Sequence, residues 1–400
     1  MSYDVDAVRK LYPALAEGLA HFDSPGGTQV PEPVSDAVAA SLRSAVSNSH
    51  GAFASSARAD ATVDAARVAV ADLVGGDPRG VLVGPSMTAL TYRLATALSR
   101  RWSAADEIIV TRLDHDANVR PWVQAAARAG ATVRWADIDS DTCELPLEQF
   151  ESLIGEATAL VAVTGASNAV GTRPDVRAIA DLAHAVGALV HVDGVHLTPH
   201  AFIDMAELGA DFFACSSYKF CGPHLGMTTA SPELLESLEI DKLLPSPAEV
   251  PQRFEYGTSQ FELLAGLPAT VDYLAGLVPG KEGSRRERLR AALAAVAEYE
   301  DGLFAALYDG LRGMEGVTVY GHAARRTPTV AFRVAGHSPR AVAEALGGQG
   351  LCVWDGNYYA VELTRRLGVE DSGGMVRAGL AHYNTAEEVD RLLAAVQRLG

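Results

Sequence analysis

Between about residues 80 and 230 the chain repeats one pattern: a short apolar run, a polar loop, then a stretch of helical period. The apolar runs are Val81–Val83, Glu107–Val110, Thr132–Trp135, Leu160–Val163, Leu189–Val192 and Phe212–Ala214. Helical periodicity fills the intervals at Thr88–Leu98, Pro121–Ala129, Val176–Val186 and Phe202–Glu207. Strands that alternate with helices need crossovers, which predicts a mostly parallel sheet with helices on both faces. The first twenty residues read as a short amphipathic helix, followed by the extended segment HFDSPGG.

The pattern changes near residue 270. A long Ala/Leu/Glu-rich helix is expected over roughly 283–313, then strands at Val317–Tyr320 and Thr329–Arg333, a helix near 338–347, a strand at Leu351–Trp354 and a closing helix over Thr385–Leu399. This predicts an N-terminal segment (1–22) packing with a small α+β domain (268–400), and a large α/β domain (23–267) between them in sequence. No internal repeat or low-complexity stretch interrupts the scheme.

Composition narrows the classes. Four hundred residues, 48% of them apolar, suffice for a substantial buried core. A formal charge of −17 argues against nucleic acid or an anionic membrane as partner, because both require basic patches. The four cysteines, Cys143, Cys215, Cys221 and Cys352, form no CxxC pair, so neither structural zinc nor a secreted disulfide framework is expected, and no metal. The N-terminus has no signal-like apolar run and no stretch reaches the roughly 18–20 apolar residues of a membrane span, so the expected location is the cytoplasm.

Ligands of open parallel sheets bind beyond the carboxyl ends of the strands. Here Val83 leads into Gly84-Pro85-Ser86-Met87-Thr88, Val110 reaches His115, Val163 reaches Asn168, Val192 is followed by Asp193, and Ala214 leads into Cys215-Ser216-Ser217-Tyr218-Lys219. The convergence of an anion site, an imidazole, an amide, a carboxylate and an amine on one edge is the informative feature. Lys219 is one of only four lysines and lies between Phe212-Phe213-Ala214 and Phe220-Cys221-Gly222-Pro223. It reads either as a snorkelling lysine or as a desolvated amine suited to a Schiff base. Asp193 ends a hydrophobic strand, where an unpaired carboxylate is costly; it reads as a helix N-cap or as the partner of a protonated pyridine nitrogen. Ser86 and Thr88 open a helix, either as ordinary caps or as an anion site. His115 reads as structural or as a ring-stacking imidazole, and Asn168 as a turn residue or a ligand.

The motifs HVDGVH (191–196), SSYKFCGPHLG (216–226), RFEYGT (253–258) and VRAGLAHYNT (376–385) carry a resemblance over nearly the whole chain. It is to the class V aminotransferase family of fold-type I pyridoxal phosphate (PLP) enzymes, in its cysteine desulfurase-like branch. The resemblance implies PLP as cofactor, bound through Lys219, with Asp193 on the pyridine nitrogen, His115 stacked on the ring and Asn168 near the ring oxygen. His196 stands where the family commonly has Gln. Ser86, Met87 (through its backbone) and Ser216 resemble the phosphate cradle, and Tyr218 replaces a common His there. Thr258 resembles a residue that completes the phosphate site of a neighbouring subunit, which implies a homodimer with shared active sites. Arg377 resembles the guanidinium that pairs with the substrate α-carboxylate. Family desulfurases carry a mobile persulfide-forming Cys on a small-domain loop. The matching stretch here, Trp354-Asp355-Gly356-Asn357-Tyr358-Tyr359, has none, and Cys352 precedes it in an apolar run. The expected activity is therefore β-elimination from a cysteine S-conjugate, giving a thiol or sulfenate, pyruvate and ammonia, with Tyr358, Tyr359 and Trp354 shaping the thiol side. The alternative is other PLP chemistry on an amino acid: transamination, epimerisation, decarboxylation-coupled deamination or desulfurase-like activity.

Overall fold

A computed structural model describes residues 3–400. Its main sheet has seven strands in the spatial order Val81–Gly84, Gly226–Ala230, Phe212–Ser216, Leu189–Asp193, Thr158–Thr164, Glu107–Thr111 and Thr132–Ala136. All run the same way except Gly226–Ala230, which is antiparallel to both neighbours. Alternate residues of each strand enter opposite cores. Ile109, Val161, Val163, Val190 and Val192 pack on one face, and Ile108, Val110, Leu160 and Ala162 on the other. Burial on both faces explains why the central strands read as continuous apolar runs.

The second core surrounds a four-stranded antiparallel sheet, Trp354–Gly356, Met375–Gly379, Thr329–Val334 and Val317–Tyr320. Helix Arg285–Arg312 joins the cores. It starts with a capping box in which Ser284 and Glu287 satisfy each other's backbone N–H groups. Leu289, Ala292 and Val296 at its start enter the large core, while Leu303, Leu307 and Leu311 enter the small one.

The packing corrects several sequence expectations. Residue 267 falls inside helix Phe261–Ala275, whose Leu264, Leu267, Val271 and Leu274 belong to the large core. The passage between cores comes later, within the long helix. The N-terminal segment is divided: Val8, Tyr12 and Leu15 join the large core, whereas Ala20 and Phe22 join the small one. Ala20–His21 also pairs with Leu351–Cys352. Instead of one amphipathic helix, the start comprises Val5–Arg9 and a 3-10 turn at Pro13–Glu17, because Pro13 cannot continue an α-helix. The helix expected at Phe202–Glu207 is a single turn, Met205–Leu208, that begins only after the Asp204 cap. Helices Glu32–Arg43 and Ala54–Val74 and strand Gly226–Ala230 are additions to the elements read from the sequence. In Ala54–Val74 the buried positions include Ser56 and many alanines, which give little apolar contrast.

Gly226 pairs with Gly84 at the strand edge, and a Cβ there would collide with the Ser86–Met87 backbone. This close approach sets the start of helix Met87–Ser99. Gly226→Ala is expected to destabilise the protein by about 2–3 kcal/mol or more, since backbone on both sides leaves no flexible atom to yield. Denaturant unfolding of the variant against the parent measures the difference; an unchanged midpoint would contradict this packing.

Candidate active site

The carboxyl ends of the parallel strands deliver the site. Ser86 caps helix Met87–Ser99, accepting the Ala89 N–H at 3.1 Å. The amides of the first helical turn have no partner within the helix and form a natural place for an anion. Beyond Glu107–Thr111, Asp114 is buried and accepts hydrogen bonds from the Thr111 hydroxyl and from Asn118 Nδ2 (2.7 Å). Burial raises the Asp114 carboxyl to about 8. The same loop presents His115, whose Nδ1 accepts the Ala117 N–H at 3.0 Å. Burial, with Lys219 and Arg377 nearby, depresses the imidazole to about 3. His115 is thus neutral, with its proton on Nε2.

Asp193 terminates Leu189–Asp193 and is buried, with Val195 N–H donating to Oδ1 at 2.9 Å. Desolvation lifts its carboxyl to about 6, opposed by that hydrogen bond and by the Lys219 charge. Lys219 lies on the 3-10 turn Ser217–Lys219 after Phe212–Ser216, and its Nζ donates to the Pro25 carbonyl. Desolvation and the Arg377 charge lower the ammonium to about 7, against the pull of Asp193 and Asp23. The loop after Thr158–Thr164 carries Asn168, whose Nδ2 donates to the Tyr358 carbonyl at 2.9 Å while Oδ1 is buried without a partner. His196 Nε2 lies 3.0 Å from Thr329 Oγ1, and burial holds the ring neutral.

Arg377 comes from the small sheet. Its guanidinium is buried, donates to the Asn168 carbonyl at 2.9 Å and lies 4.5 Å from the Tyr358 ring centroid. Nε has no partner and no carboxylate of the described residues pairs with it, so burial lowers it to about 10. Tyr359 stacks on His115 with ring centroids 5.4 Å apart.

These groups line two adjoining cavities that share His115, Asn168, Tyr218 and Lys219. The inner one adds Ser86, Met87, Thr88, Asp193, His196 and Ser216. The outer one adds Trp354, Tyr358, Tyr359 and Arg377. Thr164, Ala166 and Val195 also line them, with no role assigned from the sequence, as do Pro25 and Gly26 of the HFDSPGG segment, which reads from the sequence as an active-site loop. Thr258 is exposed and lies elsewhere, in a cavity with Arg67 and Glu255. Tyr218 stacks on His224 at 4.8 Å, an arrangement the sequence did not indicate. Cys352 sits on the strand paired with Ala20–His21, and no cysteine lines either cavity among the described residues.

The donors fit PLP. A buried carboxylate awaits a cation, a buried amide oxygen lacks a donor, a partly neutral amine stands beside them, and a helix N-terminus faces the same space. Fold and site together define a PLP-dependent enzyme of fold type I. The aminotransferase class-V family model matches residues 20–392, and the chain belongs to that family. It is 40% identical over the full length of both chains to an uncharacterized protein of Mycobacterium tuberculosis. It is 32% identical to the aminotransferase-like protein FGM3 of Gibberella zeae, covering 99% of this chain and 98% of that one. A probable cysteine desulfurase of Pseudomonas aeruginosa is 34% identical over 96% of this chain and 94% of its own. The crystal structure of the cysteine desulfurase CsdA from Escherichia coli superposes with a TM-score of 0.87 at 26% identity, covering 100% and 98% of the two chains. The apo cysteine desulfurase of Thermococcus onnurineus NA1 gives 0.88 at 27%, covering 98% and 97%.

The Asp193 shift carries a sign that cofactor-free protein can test. Its folded value near 6 exceeds the unfolded carboxylate value, so the desolvation cost is absent below about pH 4 and complete above about pH 6. Asp193→Asn removes that cost and is expected to stabilise cofactor-free protein by on the order of 2 kcal/mol at pH 7.5. No gain is expected at pH 4. Thermal unfolding at the two pH values measures this, and an equal effect at both contradicts a buried, strained carboxylate.

Proposed function

We propose that this protein is a PLP-dependent C–S lyase that eliminates a thiol, or a sulfenate, from a cysteine S-conjugate. The observation that carries the reading is the outer cavity, where Arg377 has no carboxylate partner and Tyr359 occupies the loop on which family desulfurases carry their cysteine. Bound PLP supplies the electron sink that makes the α-proton of an amino acid acidic.

The protein's own groups then divide the work. Lys219 would hold the cofactor covalently, Asp193 would pair with its pyridine nitrogen, and neutral His115 would lie against its ring. Asn168 and His196 would serve the ring oxygen. Ser86, the Met87 amide, Ser216 and Tyr218 would take the phosphate, which Thr258 of a second copy would complete in a cytoplasmic homodimer. Arg377 pairs with the substrate α-carboxylate, which restores a counter-charge to a guanidinium that has none. Lys219, freed once the substrate amine takes its place on the cofactor and poised near neutrality, would take the α-proton as general base. The Cβ–S bond breaks, sulfur leaves with the electron pair and is protonated to the thiol. The three-carbon enamine that remains gains water and yields pyruvate and ammonia. Tyr358 and Tyr359 border the sulfur side.

Desulfurase-like activity is the second reading, favoured by the names of the relatives. It would give alanine rather than pyruvate. Incubation with S-alkyl cysteines is expected to release pyruvate and thiol in equal amounts; no release from them, with free cysteine instead converted to alanine in the presence of an added thiol acceptor, would replace the lyase reading with the second. Lys219→Ala is expected to abolish both turnover and the absorbance of the covalently held cofactor. Arg377→Ala is expected to lower kcat/KM by roughly 10²-fold or more, the scale of a lost charged hydrogen-bonded pair.

A further inference from the structure

We infer that the outer cavity receives a flat, uncharged aromatic group carried on the substrate sulfur, so that the enzyme's substrates are S-aryl or S-heteroaryl cysteine conjugates. This rests on the lyase reading and specifies its substrate class. In the small sheet Trp354 is the direct cross-strand partner of Arg377, which puts both side chains on one face. Arg377 is 3% exposed and Trp354 50% exposed. A substrate held by its carboxylate at the buried end therefore sends its side chain outward past the indole. Gly26 floors this path, since a Cβ there would stand 2.7 Å from Trp354 Nε1.

Across the same cavity lies Tyr359, 70% exposed and stacked on His115. Tyr358 and Tyr359 have φ of +53° and +60°, a conformation that bulky residues avoid unless their surroundings impose it. Here they do. The Tyr358 carbonyl accepts from Asn168 Nδ2 at 2.9 Å and the Tyr359 carbonyl from the Asp116 N–H at 2.8 Å. Asn357 Oδ1 accepts the Tyr359 N–H at 3.0 Å, and the Tyr358 hydroxyl donates to the Met375 carbonyl. A large ring held this firmly yet left mostly in solvent is a prepared contact surface.

The polar groups around it are already engaged. Asp355 pairs with Arg340 at 3.4 Å, and Asn357 Nδ2 donates to Glu370 at 2.8 Å. Neither offers a free charge to an ionic leaving group, and what is left to contact is aromatic face. The outer cavity measures about 490 Å³ against about 80 Å³ for the inner one, so it has room for part of the cofactor and for a substrate larger than a three-carbon amino acid.

Binding can be separated from elimination by replacing the sulfur with a methylene. Homophenylalanine then stands in for S-phenylcysteine and norvaline for S-methylcysteine, and neither has a leaving group at Cβ. Calorimetric titration of the holoenzyme is expected to give homophenylalanine a Kd about tenfold below that of norvaline, the scale of aromatic stacking. Its cyclohexyl counterpart, equal in bulk without a π face, should bind more weakly than the phenyl compound. Trp354→Ala and Tyr359→Ala should each shrink the ratio of the norvaline Kd to the homophenylalanine Kd, and Trp354→Phe and Tyr359→Phe should restore most of it. Equal affinity for phenyl and cyclohexyl ligands, or a phenyl preference that survives both alanine substitutions, overturns the inference. If the preference holds but S-phenylcysteine releases no pyruvate, the lyase reading fails and the aromatic site stands.

Discussion

Two groups of opposite charge preference share a space where water is scarce, and most of the structure serves to keep them there. Lys219 is pushed toward neutrality and Asp193 toward protonation, each by burial, and each partly restrained by the other. Neither is comfortable alone. A heterocycle with a protonated nitrogen at one end and a carbonyl at the other relieves both, so the strain is a statement of what the site receives. The strand that ends in Asp193, Leu189–Asp193, and the strand that leads into the Lys219 turn, Phe212–Ser216, are parallel neighbours buried on both faces. Their spacing is set by the sheet and does not depend on the mobility of a loop.

The surrounding shell extends this fixity. Gly226 lets the antiparallel strand approach the start of helix Met87–Ser99, which aims that helix's first amides into the cavity. His115 is kept in one tautomer by the Ala117 amide, and its loop is braced by the buried Asp114–Asn118–Trp122 chain of hydrogen bonds. The turn at Ser24–Gly27 and the residue after it close the other side: the Pro25 carbonyl receives Lys219, and the Thr28 hydroxyl donates to the Tyr218 carbonyl. Segments distant in sequence therefore meet at one amine, which makes the geometry a property of the whole large core.

On the proposed reading, the small sheet contributes what selects the substrate. Arg377, Trp354 and the left-handed Tyr358–Tyr359 pair all reach the cavity from this side, and the long helix Arg285–Arg312 couples its core to the large one. The two sides of the cavity meet at Asn168, whose side chain and carbonyl both bond to the small-sheet side. Members of one family can change the bond that breaks by altering the second core while leaving the first intact.

The order of apolar runs and the residues after each were enough to anticipate the parallel sheet and the meeting of His115, Asn168, Asp193 and Lys219, because strand ends in such sheets share one edge. The sequence likewise marked the long helix, whose composition and capping box are local features. It did not reveal that Gly226–Ala230 inserts antiparallel, or that helix Phe261–Ala275 belongs to the large core; both follow from partners far along the chain. Nor did it disclose that Trp354 stands opposite Arg377, since register is fixed by pairing between strands. Local propensity chose the elements and their chemistry, while the distances, the desolvation and the exposed aromatic walls arose only when separate segments were packed together.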